Sequence, residues 1–351
     1  MKSIKKRMAG RRDSLISFGI VILAYIVIQI MISTGNISSS LKGQLVPICA
    51  YIVMAVSLNL TVGFLGELSL GHAGFMSVGA FTGIVVTTSL AQAIPSAPLR
   101  LAIAMIIGGI FAAVAGVIVG VPVLRLKGDY LAIVTLAFGE IIKNIINVLY
   151  IGMDGNGLHF SLLEQRFALE DGGKMIINGP MGVSGVTKIS SFTSGIILIL
   201  ITLFLILNLV HSRTGRAVMS VRDNRIAAES IGISATRYRL LAFVISAAFA
   251  GMAGTLYAMN FSTVTANKFD FNTSILVLVF VVLGGLGNIW GSIIAAALLT
   301  VLPELLRGLN DYRMLIYAIL LIVMMIFNNS GLKTRLLEKR AARRAGDPQK
   351  K

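Results

Sequence analysis

The chain has 351 residues, of which 56% are hydrophobic and only 13% charged, and its mean hydropathy is +0.86. That composition excludes an ordinary water-soluble domain. Its net charge of +16 does not point to nucleic acid, because the basic residues gather in three places: the N-terminus (Lys2, Lys5, Lys6, Arg7, Arg11, Arg12), the 211–239 segment and the tail from Lys333. These are juxtamembrane positions, where Lys and Arg set orientation and meet anionic headgroups of the bilayer.

Apolar runs recur along the chain, and the expected spans are 14–33, 45–62, 73–90, 99–124, 129–151, 192–210, 240–259, 274–291, 292–306 and 312–328. Runs of about 20 residues cross a hydrocarbon core of roughly 30 Å. The first run follows a basic N-terminus, residues 1–13, but exceeds the usual length of a signal-peptide core and has no A-x-A-like site after it. It reads as an uncleaved span. Charge then sets the count: four crossings later Arg125 and Lys127 mark an inner turn, and two more bring the arginine-rich 211–239 loop back inside. A basic tail, 329–351, also on the inside requires an even number of further crossings, which the short run 292–306 supplies. The expected fold is an all-α polytopic membrane protein of about ten transmembrane helices, with both termini cytoplasmic and the spans filling 14–328. Cys49 stands alone in an apolar run, so no intrachain disulfide forms.

In chain order, the first polar feature is TVGFLGELSLGHAGF, where Gly63, Gly66 and Gly71 surround Glu67 and His72. Irregular backbone at membrane depth survives only where protein or a water-filled cavity satisfies it. Two readings stand: a broken or re-entrant gating turn beside a pathway, or a cytoplasmic turn with an exposed Glu67. A similar glycine-rich turn, Leu283-Gly284-Gly285-Leu286-Gly287, occurs late in the chain. In the fourth span Gly108, Ala112, Gly116 and Gly120 fall at four-residue intervals; in the seventh, Ala247 with Gly251, and Ser246, Ala250 and Gly254, do the same. Small residues so spaced let helix backbones approach closely in lipid.

Glu140, Lys143, Asn144 and Asn147 fall at i, i+3, i+4 and i+7, one face of the fifth span. Charges inside a span are costly, face the bundle interior and mark pathways. The stripe is expected either to line an outward-facing part of a translocation path or to form a polar helix–helix contact. The loop 152–191, with Asp154, Glu164, Glu170 and Asp171 beside Arg166, Lys174 and Lys188, reads as an ordered outer cap or a solvated connector. In the basic segment Arg213, Arg216, Arg222, Arg225, Arg237 and Arg239 hold the loop inside, and Asp223 is expected to cap a short helix, Asn224–Ile231, that Gly232 ends. A two-turn helix is marginal alone in water. It is therefore a candidate docking surface.

No catalytic constellation is present. The histidines His72, His159 and His211 are too scattered for a zinc helix, and no phosphate-binding loop of the type G-x-x-x-x-G-K-[ST] occurs, so any ATP hydrolysis belongs to other chains. The competing classes are a stand-alone ion-coupled carrier and a membrane-embedded enzyme.

Between about Ala50 and Arg307 the chain resembles the LivM-type permease subunit of branched-chain amino acid ABC importers. The resemblance rests on LNLTVGFLGELSLGHAGFMSVGAF, GDYLAIVTLAFGEIIKNIINVLY, NGPMGVSGV, the 212–258 segment and LVLVFVVLGGLGNIWGSIIAAALLTVLPELLR. It implies an ABC importer permease fold, a sister permease subunit, two cytoplasmic ATPase subunits that use ATP, and an extracytoplasmic amino-acid-binding protein, with no cofactor bound by this chain. The arginine loop then corresponds to the ATPase coupling segment (Arg222, Asp223, Arg225, Ala227, Ala228, Glu229, Gly232). Ala227, Ala228 and Gly232 keep the A-A-x-x-x-G part of the general motif, whereas Ile226 replaces its leading glutamate and the trailing I-x-L-P is missing. Related permeases handle urea or short amides, so the cargo stays open.

Overall fold

The computed structural model describes residues 2–35, 38–126, 128–155, 157–164 and 173–306, together with Tyr312, Leu315, Ile316, Ala318, Ile319 and Ile322; side chains are described from Phe18 onward, Asp129 excepted. Residues 1–297 form one compact unit and 298–351 a second. The expected span 312–328, Lys127, the acidic pair Glu170 and Asp171, Arg166, and the basic side chains of the N-terminus and tail lie wholly or largely outside the described residues.

The helices are α1 (Lys2–Ser33), α2 (Ser39–Asn59, continued by a π-helical turn Leu60–Leu65), α3 (His72–Ser89), α4 (Ala97–Val123), α5 (Asp129–Asn147), α6 (Phe192–His211), α7 (Arg213–Asp223), α8 (Arg225–Ser230), α9 (Ala235–Ala258), α10 (Phe271–Gly284) and α11 (Ile289–Leu305). Among the described residues six helical stretches are long and apolar enough to cross a membrane: Ser39–Leu65, Ala97–Val123, Tyr130–Asn147, Phe192–His211, Ala235–Ala258 and Ala266–Gly284. Phe18–Ser33 and Ile289–Leu305 are shorter apolar helices. The starts follow local chemistry. Ser38 caps α2, Ser191 and Ser194 form a reciprocal capping box on α6, and the Asp270 carboxylate accepts from the Thr273 N–H of α10, each replacing an orphan backbone partner.

The centre of the first unit is a three-helix layer of α3, α4 and α9. α3 is rich in Gly, Ser and Thr and buried along most of its length, so it falls short of the hydropathy of its neighbours. α4 is the most apolar and yet the more exposed, with Ile106, Ile110, Val114, Val117 and Val121 open along one face. The hydropathy of these helices follows what faces lipid, since hydrocarbon tails are as apolar as any core. Close packing inside the layer depends on missing side chains. A Cβ on Gly254 would lie 1.9 Å from the Met76 carbonyl oxygen, and one on Gly79 would lie 2.0 Å from that of Gly251. The small residues read from the fourth and seventh spans thus meet here, where Gly116 abuts Ala247 and Gly251 abuts Ala112.

Two boundaries differ from expectation. The span 129–151 ends as helix at Asn147, and the chain turns into strand β1 (Leu149–Asp154). The span 274–291 is broken at 285–288, where Gly285 and Gly287 take positive φ. The all-α expectation also fails outside the helices. β1 pairs antiparallel with β2 (Gly157–Leu162) and β3 (Lys174–Asn178), in the order β2-β1-β3, and β4 (Val183–Ser184) pairs with β5 (Thr263–Val264). Part of the loop 152–191 is therefore a small sheet, in which His159 contacts the buried Asp154 carboxylate at 2.9 Å.

Candidate functional site

The site grows from the end of α2. Its last turn widens into a π-helix, and Gly66, at φ +79°, closes it with its N–H on the Thr61 carbonyl. A positive φ suits glycine at a helix C-terminus. Within the wide turn Gly63 has no room for a side chain: a Cβ would stand 1.9 Å from the Asn59 Oδ1 and 2.3 Å from the Gly287 nitrogen. The two glycine-rich turns of the sequence therefore pack against each other. Asn59, fully buried, joins them by accepting from the Gly287 N–H at 2.8 Å and donating to Ser292 Oγ at 2.9 Å.

Further buried polar contacts surround this break. Ser57 Oγ and His72 Nε2 share a hydrogen bond of 2.9 Å, Ser246 Oγ donates to the Ser57 carbonyl, and Ser274 Oγ accepts from the Ala73 N–H at 3.1 Å. The Leu70 N–H donates to Thr135 Oγ1 at 3.0 Å, and a Cβ on Gly71 would lie 2.0 Å from the Thr135 carbonyl. Residues 57–75 thus carry direct contacts to α5, α9, α10 and α11. A buried group left without its partner costs about 1–3 kcal/mol, so the network resists piecemeal change. Neither Glu67 nor His72 is an exposed turn residue: His72 is 2% exposed, and the Glu67 carboxylate is ion-paired to the buried Arg239. Burial pushes the Glu67 carboxyl above the usual carboxylate range, and the Arg239 guanidinium works in the opposite direction.

The basic segment folds as a helical hairpin. Ser212 caps α7, accepting from the Gly215 N–H at 3.1 Å. α8 is capped by Asn224, whose Oδ1 accepts from the Ala227 N–H at 3.0 Å. Asp223, the expected cap, instead ends α7 and accepts from Arg222 at 2.9–3.0 Å. The expected helix Asn224–Ile231 is shorter, Arg225–Ser230, and Gly232 follows at φ +85°. Ala228 is 3% exposed and packs inward with Val221, Ala235 and Ile233, so it builds the hairpin and presents nothing outward. Arg225 and Glu229 pair along α8 at 2.9 Å, while Ala227 lies open. Sequence reasoning missed the outward residues: Ile226 is 82% and Ile231 74% exposed. Two isoleucines in an otherwise polar segment, Ile226 within α8 and Ile231 just after it, are the signal that marks them.

The hairpin touches the broken end of α2 through Arg222, and the start of α9 does so through Arg239. Arg222 Nη1 donates to the Gly63 carbonyl at 3.1 Å, and its stem lies over Gly66, where a Cβ would come within 2.6 Å of Cγ. On the other side of Gly66, Arg239 Nε donates to Glu67 Oε1.

The polar stripe of α5 lies apart from these contacts. Glu140 and Lys143 form a half-buried ion pair, and Asn144 is exposed. Asn147 Nδ2 donates to Asn267 Oδ1 at 3.2 Å, leaving its own buried Oδ1 without a hydrogen bond. The stripe and the break are nonetheless joined through one helix. A Cβ on Gly74 would lie 2.9 Å from the Gly139 Cα, so α5 rests directly on the start of α3. Among the described residues no three of His, Cys, Asp and Glu gather closely enough to hold a metal ion.

The family model for the branched-chain amino acid transport system / permease component matches residues 40–327. The high-affinity branched-chain amino acid transport system permease protein LivM of Salmonella typhimurium is 37% identical over 325 residues, covering 89% of this chain and 74% of the relative. The protein of the same name from Escherichia coli is 39% identical over 292 residues, 80% of this chain and 67% of the relative. The fructose import permease protein FruG of Bifidobacterium longum is 23% identical over 260 residues, 72% and 71% of the two chains. No solved structure matches. The matched range takes in the break, the hairpin and the polar stripe alike, and the chain belongs to the branched-chain amino acid transport permease family.

Proposed function

We propose that the chain is the membrane-spanning subunit of an ATP-driven ABC importer that moves leucine, isoleucine and valine across the cytoplasmic membrane. The similarity to the two LivM permeases over most of the chain carries this reading. In it the chain crosses the bilayer ten times with both termini inside. One end of the first unit holds Glu67, Arg222, Arg239 and the 285–288 turn; the other holds the sheets and the Asn260 to Gly43 hydrogen bond of 3.0 Å. The basic end is cytoplasmic on the charge rule. α8 docks on one of two cytoplasmic ATPase subunits, a sister permease completes the pathway, and an extracytoplasmic binding protein delivers the amino acid. ATP closes the ATPase pair, and the bundle switches between two packings that the docking helix biases.

The α5 stripe supports a place in the pathway. Glu140 lies eleven residues into α5, about 17 Å along the axis, near mid-membrane if α5 crosses. An isolated charge there costs about 2.5–3.5 kcal/mol on insertion scales. Mutual neutralisation lowers that cost, and partial exposure of the pair fits a face turned toward a second subunit or a wet path.

Reconstitution with the ATPases, sister permease and binding protein tests the reading. Labelled leucine is expected to accumulate only with ATP and the binding protein, and to be displaced by isoleucine and valine but not by urea. Uptake by this chain alone on an ion gradient would make it a secondary carrier. Combining Glu140→Gln with Lys143→Met is expected to cut uptake about tenfold, the scale of one lost coupling contact, at unchanged assembly. Wild-type uptake in that variant reduces the stripe to helix packing.

A further inference from the structure

We propose that Arg222 is a positioning residue of the transport cycle, a tie that delivers displacement of the α7–α8 hairpin to the broken end of α2. This rests on the importer reading above. A coupling-segment arginine is expected to face the ATPase, but this one, although its side chain stays 38% exposed, reaches back to the end of α2 with one arm of its guanidinium. Its Nη1 donates to the Gly63 carbonyl at 3.1 Å, while Nε and Nη2 donate to Asp223 Oδ1 at 3.0 and 2.9 Å. Asp223 thereby fixes the planar fork, and one arm is left aimed at the carbonyl, a geometry that a lysine ammonium cannot copy.

That carbonyl is available for a physical reason. The last carbonyls of a helix have no intrahelical partner, and here the chain turns away at Gly66, so the wide π turn ends beneath the hairpin. A cation at a helix C-terminus also meets the negative end of its dipole. Gly66 leaves the passage for the Arg222 stem, since any Cβ would collide with Cγ at 2.6 Å. Beyond Gly66 the Glu67–Arg239 pair makes a second tie, to α9. Five residues of backbone, 63–67, are therefore held from both sides by elements that flank α8.

The connection continues inward. Gly63 abuts Gly287, and Asn59 bridges to Gly287 and Ser292. A pull on Arg222, three residues before α8 begins, acts on the end of α2 and on the break between α10 and α11 together. Coupling of this kind needs contiguous contacts and an element with two arrangements. The paired breaks are the candidate element.

The test uses the assembled importer with Arg222→Lys, Arg222→Gln, Gly66→Ala and Gly66→Ala/Arg222→Gln. Expected are normal assembly with the ATPases, ATP hydrolysis near wild type, and about tenfold less leucine taken up per ATP hydrolysed, within the usual range of coupling effects. Arg222→Lys is expected to fail like Arg222→Gln, and the double variant to be no worse than either single. Backbone hydrogen exchange at residues 60–67 is expected to rise in every variant while the ends of α9 stay unchanged. Unchanged exchange at 60–67 overturns the tie without reference to transport. An unchanged uptake-to-ATP ratio, or loss of ATPase binding itself, also overturns it, the latter making Arg222 a docking residue. If the wild-type assembly fails to use ATP, the importer reading falls, and the exchange result alone decides the tie.

Discussion

Replacing Gly254 by valine is expected to leave almost no folded protein. The Cβ would sit 1.9 Å from the Met76 carbonyl oxygen and 3.0 Å from the Ala80 nitrogen. Both are backbone atoms of α3, so no rotamer change relieves the clash. The helices must separate, and the layer gives up its closest contacts, among them the 2.8 Å hydrogen bond from Thr255 Oγ1 to the Gly79 carbonyl. Overpacking a side-chain core costs about 1–3 kcal/mol; overpacking against backbone exceeds that, because van der Waals contact is the main force between helices in lipid. Monodisperse yield in detergent is expected to fall below about a tenth of wild type, since domain stabilities are themselves only about 5–15 kcal/mol. Gly43→Ala, at a site with nothing within 4 Å, serves as the control and is expected to behave as wild type.

The second large effect is functional. Ile226→Glu combined with Ile231→Glu is expected to abolish ATP-driven uptake while leaving expression, insertion and detergent stability unchanged. Both side chains are mostly open, so the fold loses little. Seating two isoleucines in a partner groove contributes about 3–6 kcal/mol, and a buried, unpaired carboxylate adds a desolvation cost. ATPase co-purification should drop with uptake; retained co-purification and transport would show that α8 docks elsewhere or not at all. Ala228→Trp makes the contrasting case. It is expected to disturb the hairpin from within, because Ala228 packs on Val221 and Ala235, and to raise protease sensitivity between α7 and α9.

Much of the helical frame was legible because lipid imposes a length and a composition. The runs 99–124 and 192–210 match α4 and α6 to within two residues at each end. Where the reading slipped, local chemistry was ambiguous. Leu149, Tyr150 and Ile151 continue the apolar run of the helix before them, and only the pairing with β2 and β3 makes them a strand. Asp223 and Asn224 are equally good caps; α7 runs through Asp223 and leaves the role to Asn224. Gly284, Gly285 and Gly287 marked a turn, yet flanking apolar residues made 274–291 look continuous.

The site was legible only in part. Glycine spacing singled out Gly63, Gly66 and Gly71, and helical periodicity singled out the α5 stripe. Neither pattern reveals which distant segments those residues meet, nor the buried polar residues that join them. Asn59 and Ser292 are 233 positions apart and Ser57 and Ser246 are 189 apart, and each reads alone as a small polar residue in an apolar run. The burial of Ala228 and the contact from Arg222 to the Gly63 carbonyl are matters of hairpin packing, which a motif match to the coupling segment does not encode.

The central claim is that energy enters through the α8 face from the cytoplasm, and cysteine accessibility tests it most directly. The native Cys49 is buried, so Ile226→Cys can be read with a membrane-impermeant maleimide in the otherwise unaltered chain. The account predicts labelling in inside-out vesicles only, with strong protection when the ATPase subunits are bound. Labelling of Ile226→Cys from the outside of intact cells, or equal labelling with and without the ATPases, would contradict it.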